Sequence, residues 1–127
     1  MTLSPKQLHG LLEVNFATGE LRHKFRTPDM FEATSEHTAE DLCTWWNEDY
    51  AGKPALTGNY AVGGLGGTLL DKRYSAARVI YAMFYGEWPH GPPTHRNGNR
   101  RDNRISNLEK SNRPYERYFD GADHLTK

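Results

Sequence analysis

Pro92 and Pro93 constrain this chain more than any other pair of residues. A proline disfavours helix in the residue before it, so the segment from Gly91 to Thr94 must run extended. Just upstream, Ser75 to Tyr85 predicts a helix. Val79, Ile80, Met83 and Phe84 recur at helical spacing, Gly86 suits the position after the last turn, and Pro89 bars continuation. Just downstream, Asn97-Gly98-Asn99 predicts a turn, because Gly and Asn tolerate positive φ. Leu108 to Ser111 predicts a returning strand. A last helix follows, capped by Ser111 or Asn112, with Pro114 in its first turn and Gly121 near its end. The tail 122–127 is expected to fray.

Before this block the pattern is simpler. Ser4-Pro5 predicts an N-cap and first helical residue, with the helix running to about Leu12. Thr18-Gly19, between Val14-Asn15-Phe16 and Leu21 to Phe25, predicts a hairpin. Thr38 predicts the cap of a second helix to about Tyr50. Ala39, Leu42, Trp45, Trp46 and Tyr50 lie at helical spacing, and Glu40, Asp41, Glu48 and Asp49 face away. Asn59 to Tyr74 predicts a meander with a turn at Asp71-Lys72. Its glycines 63, 64, 66 and 67 lack the Lys-Ser/Thr of a phosphate loop and point to bulges or close backbone packing. The fold class is therefore α+β, a single small domain over 1–127. It divides into an N-terminal helix and hairpin region (1–70), a central helix with strand, loop, strand and helix (71–121), and a tail.

At 127 residues the chain supports one modest core. No apolar run approaches the roughly 18–20 residues that span a bilayer, and no secretory leader is expected. The lone Cys43 cannot form an internal disulfide; it reads as a buried apolar residue on the second helix in a reducing compartment. The formal net charge of +0 conceals a segregation. From Thr27 to Gly52 every charge is acidic. From Arg96 to Arg117 the basic residues Arg96, Arg100, Arg101, Arg104, Lys110, Arg113 and Arg117 outnumber Asp102, Glu109 and Glu116. A basic end of this kind suits a polyanion, since phosphate neutralisation supplies most non-specific nucleic-acid affinity. The remaining histidines His9, His23, His37, His90 and His124 read as structural or incidental rather than as a metal site.

The run His95-Arg96-Asn97-Gly98-Asn99-Arg100-Arg101-Asp102-Asn103-Arg104-Ile105-Ser106-Asn107-Leu108 resembles the centre of phage and homing-type HNH endonucleases, roughly D-H-x-N-G-[DN]-x-x-D-N-R-x-x-N-L. Arg73 to Pro89 is similar to their K-R-Y-x-A-H-R-V-I-W-A-x-x-Y-G-E-W-P stretch. Trp46-Asn47 and Ala51-Gly52-Lys53-Pro54-Ala55 are similar to their N-terminal part. The resemblance spans about Trp45 to Leu108.

What it implies is a ββα-metal motif acting on DNA. In that arrangement a metal ion, Mg or Mn, neutralises charge on the scissile phosphate, and a neutral imidazole on the other side takes a proton from water. Carried over by position, His95 is the general base and Asn107 steadies the loop or the histidine. Asn97, Gly98 and Asn99 form the turn, and Asp102, Asn103 and Arg104 pin the loop. The basic residues from Arg96 to Arg117 contact DNA, and the metal position on the last helix falls near Glu116, with Asn112 as a second choice. This chain departs in having Thr94 where the family places a metal-binding aspartate, Ala77 where it commonly has histidine, and Glu116 in place of the usual Asn or His.

Two functions follow from the resemblance. One is a phage-type endonuclease that nicks or cuts DNA in the cytoplasm of an infected bacterium. The alternative is a degenerate HNH fold, without a metal cofactor, that binds DNA or inhibits a host protein through the acidic helix 38–50.

Overall fold

The computed structural model describes residues 2–110. Ser4 opens helix α1 (Pro5–Leu11) with a reciprocal cap. Its side chain accepts from the Gln7 amide, and the Gln7 side chain accepts from the Ser4 amide. The chain turns into strands β1 (Leu12–Asn15) and β2 (Glu20–His23), paired antiparallel with Val14 opposite Leu21. The four-residue turn is held by Asn15, whose Oδ1 accepts from the amides of Ala17 and Thr18 at 3.0 and 3.2 Å. Helix α2 (Ala39–Tyr50) starts on the Thr38 cap as expected.

Strands β3 (Gly58–Asn59), β4 (Leu65–Leu69) and β5 (Lys72–Ser75) form an antiparallel sheet in sequence order. Helix α3 (Ala76–Tyr85) follows directly, capped by Ser75 and closed by Gly86 at φ +77°. Strands β6 (Thr94–His95) and β7 (Leu108–Glu109) make a last antiparallel pair around the loop 96–107. The architecture is α+β. The expected last helix, with Glu116, Arg113 and Arg117, and the tail lie outside the described residues.

α3 is the centre of the core. Val79 and Ile80 are fully buried and pack with Leu8, Leu12, Leu21, Leu69 and Leu108, so helix, hairpin, sheet and the His95 strand pair share one apolar interior. Truncating Ile80 to alanine would cost about 2–5 kcal/mol. Polar ties reinforce the seams. His9 Nε2 meets the Met83 carbonyl at 3.0 Å, and the Trp88 indole donates to the Leu3 carbonyl at 2.8 Å while its ring stacks on Tyr74. His9 is thus a fastener between α1 and α3.

Three expectations are corrected. The β4–β5 turn is Leu70-Asp71, not Asp71-Lys72: both residues have positive φ (48° and 70°), and Lys72 already pairs with Leu69. A leucine at positive φ is uncommon, which is why the sequence pointed one residue late. Phe84, expected in the apolar stripe of α3, is 49% exposed, and its ring meets Phe16 edge-on at 5.1 Å. On α2 the expected stripe is not a core face, because Trp45 and Tyr50 are exposed and Cys43 is the buried residue. That helix is held by its aromatic and polar contacts with the segment after β2. Arg26 lies over the Trp46 ring at 3.8 Å, and Asn47 both accepts from the Arg26 amide and donates to its carbonyl.

The N-terminal hairpin bears directly on the loop 96–107. Ile105 donates its amide to the Phe16 carbonyl at 2.9 Å. Gly19, at φ +80°, lies so close that a Cβ there would sit 2.6 Å from the Asn103 carbonyl carbon. At its other end β2 is tied to the chain after α2, where Ala55 donates to the Leu21 carbonyl and His23 to that of Lys53. The hairpin therefore sits between that connection and the loop, which places Gly19 against Asn103.

Candidate functional site

The loop between β6 and β7 is organised by two buried asparagines. Asn107 Oδ1 accepts from the Asn97 amide at 3.0 Å, and its Nδ2 donates to Asn97 Oδ1 and to the Asp102 carbonyl at 3.0 and 2.8 Å. One side chain thus bridges the start and the end of the loop. Asn103, 3% exposed, places Oδ1 2.8 Å from His95 Nε2. An amide oxygen only accepts, so with that orientation Nε2 carries the hydrogen. In the neutral ring the lone pair then lies on Nδ1.

The rest of the loop is a chain of local bonds. Gly98, at φ +78°, donates its amide to the His95 carbonyl. Asn97 Oδ1 accepts from the Asn99 amide, and Asn99 Oδ1 accepts from that of Arg101. Asp102 accepts twice from the Arg104 guanidinium, both bonds 2.8 Å, and once from Asn97 Nδ2 at 2.8 Å. The Arg104 hydrogen bonds lead in holding the Asp102 carboxyl below the ordinary carboxylate value, at about 2, with help from Asn97. Both carboxylate oxygens are committed to the loop.

His95 is half-buried on β6 opposite Leu108, and Thr94 is exposed opposite Glu109. Adjacent strand residues point to opposite faces, so hydroxyl and imidazole diverge. Arg96 pairs with Glu109 at 3.5 Å, and Arg104 with Asp102. Arg100, Arg101 and Lys110 are exposed, and Arg101 reaches back to Asn59 Oδ1 at 3.4 Å. The structure thus brings His95, Asn97, Gly98, Asn99, Asp102, Asn103 and Asn107 into one bonded unit with the cationic side chains around it. The direct partner of His95 is Asn103. Of the two roles the sequence allowed Asn107, steadying the loop or the histidine, its side-chain bonds go to the loop. Ala77 is buried in the core face of α3, and His90 is exposed without a described ring partner.

Residues 74–115 match the family model described as HNH endonuclease, from Tyr74 on β5 through α3 and the whole His95 loop. The searches of curated proteins and of solved structures returned no match. The C-terminal half of the chain therefore carries an HNH endonuclease-like domain. No helix among the described residues is long and apolar enough to cross a membrane.

HNH domains generally use a divalent metal. Among the described residues, no three His, Cys, Asp or Glu side chains gather where they could hold one ion. Thr94 offers a neutral hydroxyl, and Asp102 is occupied by Arg104 and Asn97. The described residues alone do not fit a divalent ion.

Proposed function

We propose that this chain is an HNH-type nuclease that acts on DNA, with His95 as general base. The observation that carries the reading is the 2.8 Å contact between His95 Nε2 and Asn103, which fixes the tautomer and leaves Nδ1 free to accept a proton. In hydrolysis Nδ1 would take the proton of a water molecule whose oxygen attacks phosphorus, and the bond from phosphorus to one ester oxygen breaks. The exposed Arg100 and Arg101 draw the phosphate backbone to the loop. Arg96, Arg104 and Lys110 belong to the same proposed surface, as do Arg113 and Arg117 beyond the described residues. A Mg or Mn ion belongs to this reading only through the residues after Lys110, Glu116 foremost, and no step is assigned to it.

Thr94 favours a second reading, a catalytically degenerate HNH fold of phage origin that binds DNA without cutting it. In that reading Glu40, Asp41, Glu48 and Asp49, all exposed on α2, would meet a basic host protein.

Nicking of supercoiled plasmid with added Mg²⁺ or Mn²⁺ separates the two. The nuclease reading expects nicking that His95→Ala abolishes while DNA affinity stays nearly unchanged, and at least a tenfold gain in Thr94→Asp, which adds a hard anionic oxygen beside the base. Cutting by the His95→Ala protein at the parent rate would remove the general-base role. Binding without cutting in the parent, in Thr94→Asp and with either ion supports the degenerate reading.

A further inference from the structure

We infer that the β3–β4–β5 sheet extends the DNA-binding surface, with Arg73 contacting a backbone phosphate next to the one met by Arg101. This rests on the nuclease reading above and adds to it a surface outside the His95 loop. Asn59 is the junction. Its carbonyl accepts from Arg73 Nη2 at 3.1 Å, and its side-chain Oδ1 accepts from Arg101 Nη1 at 3.4 Å. One residue of β3 therefore draws a guanidinium from β5 and one from the loop to the same place.

Both arginines are exposed, and no described carboxylate pairs with either; the ion pairs of the neighbouring loop are Arg96 with Glu109 and Arg104 with Asp102. Two like charges held together by a neutral amide repel one another, and an anion removes that repulsion. Arg96 and Arg104 already have acidic partners, so Arg73 and Arg101 are better suited to meet phosphate than those two.

The position of Arg73 is built by the sheet. Its guanidinium lies over the Tyr60 ring at 5.4 Å. Tyr60 in turn lies against Gly66, where any Cβ would collide with the Tyr60 ring and the Tyr74 carbonyl. Gly66 thus admits the ring, the ring supports Arg73, and Asn59 orients it. A glycine that read as close backbone packing has a consequence at the surface. Consecutive phosphates of a strand carry one charge about every 3.4 Å of helix axis, so a row of cations is the matching partner. Arg73 and Arg101, meeting at Asn59, supply two such cations, and Arg101 belongs to the loop that carries His95.

The test is the salt dependence of duplex DNA affinity. Arg73→Ala is expected to lower the slope of log K against log salt by about 0.9, equally on unrelated sequences, because one phosphate contact is lost. Arg73→Lys should keep the slope, and Lys53→Ala, at the far end of β2 from the loop, should not change it. Gly66→Ala should reproduce part of the Arg73→Ala effect if circular dichroism shows it folded. If the parent binds duplex with a normal slope and Arg73→Ala binds with the same slope, the inference is overturned and the nuclease reading stands. A parent that binds no duplex at low salt overturns both.

Discussion

Asn103 holds the imidazole of His95 by its Nε2 at 2.8 Å, and the same asparagine has its backbone packed against Gly19 of the N-terminal hairpin. The tautomer of the proposed base is thus set by a residue that the first strands of the chain keep in place. Asn103→Leu removes the acceptor and keeps the branched shape of the side chain. It is expected to lower kcat for nicking by about 10- to 100-fold with KM little changed, in the range of supporting contacts to reactive histidines. Nitrogen chemical shifts of the His95 ring should move from one tautomer toward a mixture. An unchanged ring spectrum with an unchanged kcat would sink the positioning role.

Asn107 is the brace of the same loop, and its removal should act on stability first. Asn107→Ala leaves the Asp102 carbonyl without its side-chain donor and releases both ends of Asn97. The expected loss is about 1–3 kcal/mol in urea unfolding, since the released groups near the surface recover part of their bonding from water. Amide exchange should rise across 97–107 and stay slow in α3. Slow exchange in the loop of the variant would mean that other bonds suffice.

Much of this was legible because it is local. The Pro92-Pro93 pair, the Asn97-Gly98 turn, the caps at Ser4, Thr38 and Ser75 and the stop at Gly86 each act through a residue's own backbone preference. The misplaced features depend on distant neighbours. Leu70 accepts a positive φ that its type rarely takes, and Trp45 and Tyr50 stay exposed because the partner of α2 is the Arg26 segment and not the core. The loop residues were identifiable from their pattern, yet which asparagine serves His95 was not. That choice is made by the Gly19 turn pressing on Asn103, a contact between residues 84 positions apart. Arg73 read as part of the Asn59–Tyr74 meander and of the family-like block that follows, and not as a surface group, since its link to Arg101 runs through Asn59 on a third element.

Asp102 gives the loop an acid limit. Its carboxyl titrates near 2, below the ordinary value it takes in the unfolded chain. A depressed folded value means a contribution present above the unfolded value and lost as pH falls toward 2. Loop order, read by amide exchange or Asn97 side-chain signals, should hold at pH 5 and fail between about pH 4 and 2. Asp102→Asn should be weaker at pH 5 and lose this acid step. A parent and variant with identical acid profiles would refute the assignment.

His23 predicts a second, higher pH window on a different element. Burial first, and the Arg26 charge second, push its imidazole below the ordinary histidine value of 6.5. Its ring meets Trp46 edge-on at 5.4 Å and Tyr50 at 5.9 Å, while Nδ1 is buried without a hydrogen-bond partner among the described residues. The unfolded chain therefore binds the proton at higher pH than the folded one, so stability is full above about 6.5 and declines as pH falls below it. The proton would also set a second cation beside Arg26 against Trp46, so the seam between β2 and α2 should loosen first. Trp46 fluorescence followed from pH 8 to 5 should report that loosening before the Val79–Ile80 core unfolds. His23→Phe keeps the aromatic contact and removes the titration; its Trp46 signal should stay flat over the same range. A parent signal equally flat, or a variant that titrates as the parent does, would assign the window to another group.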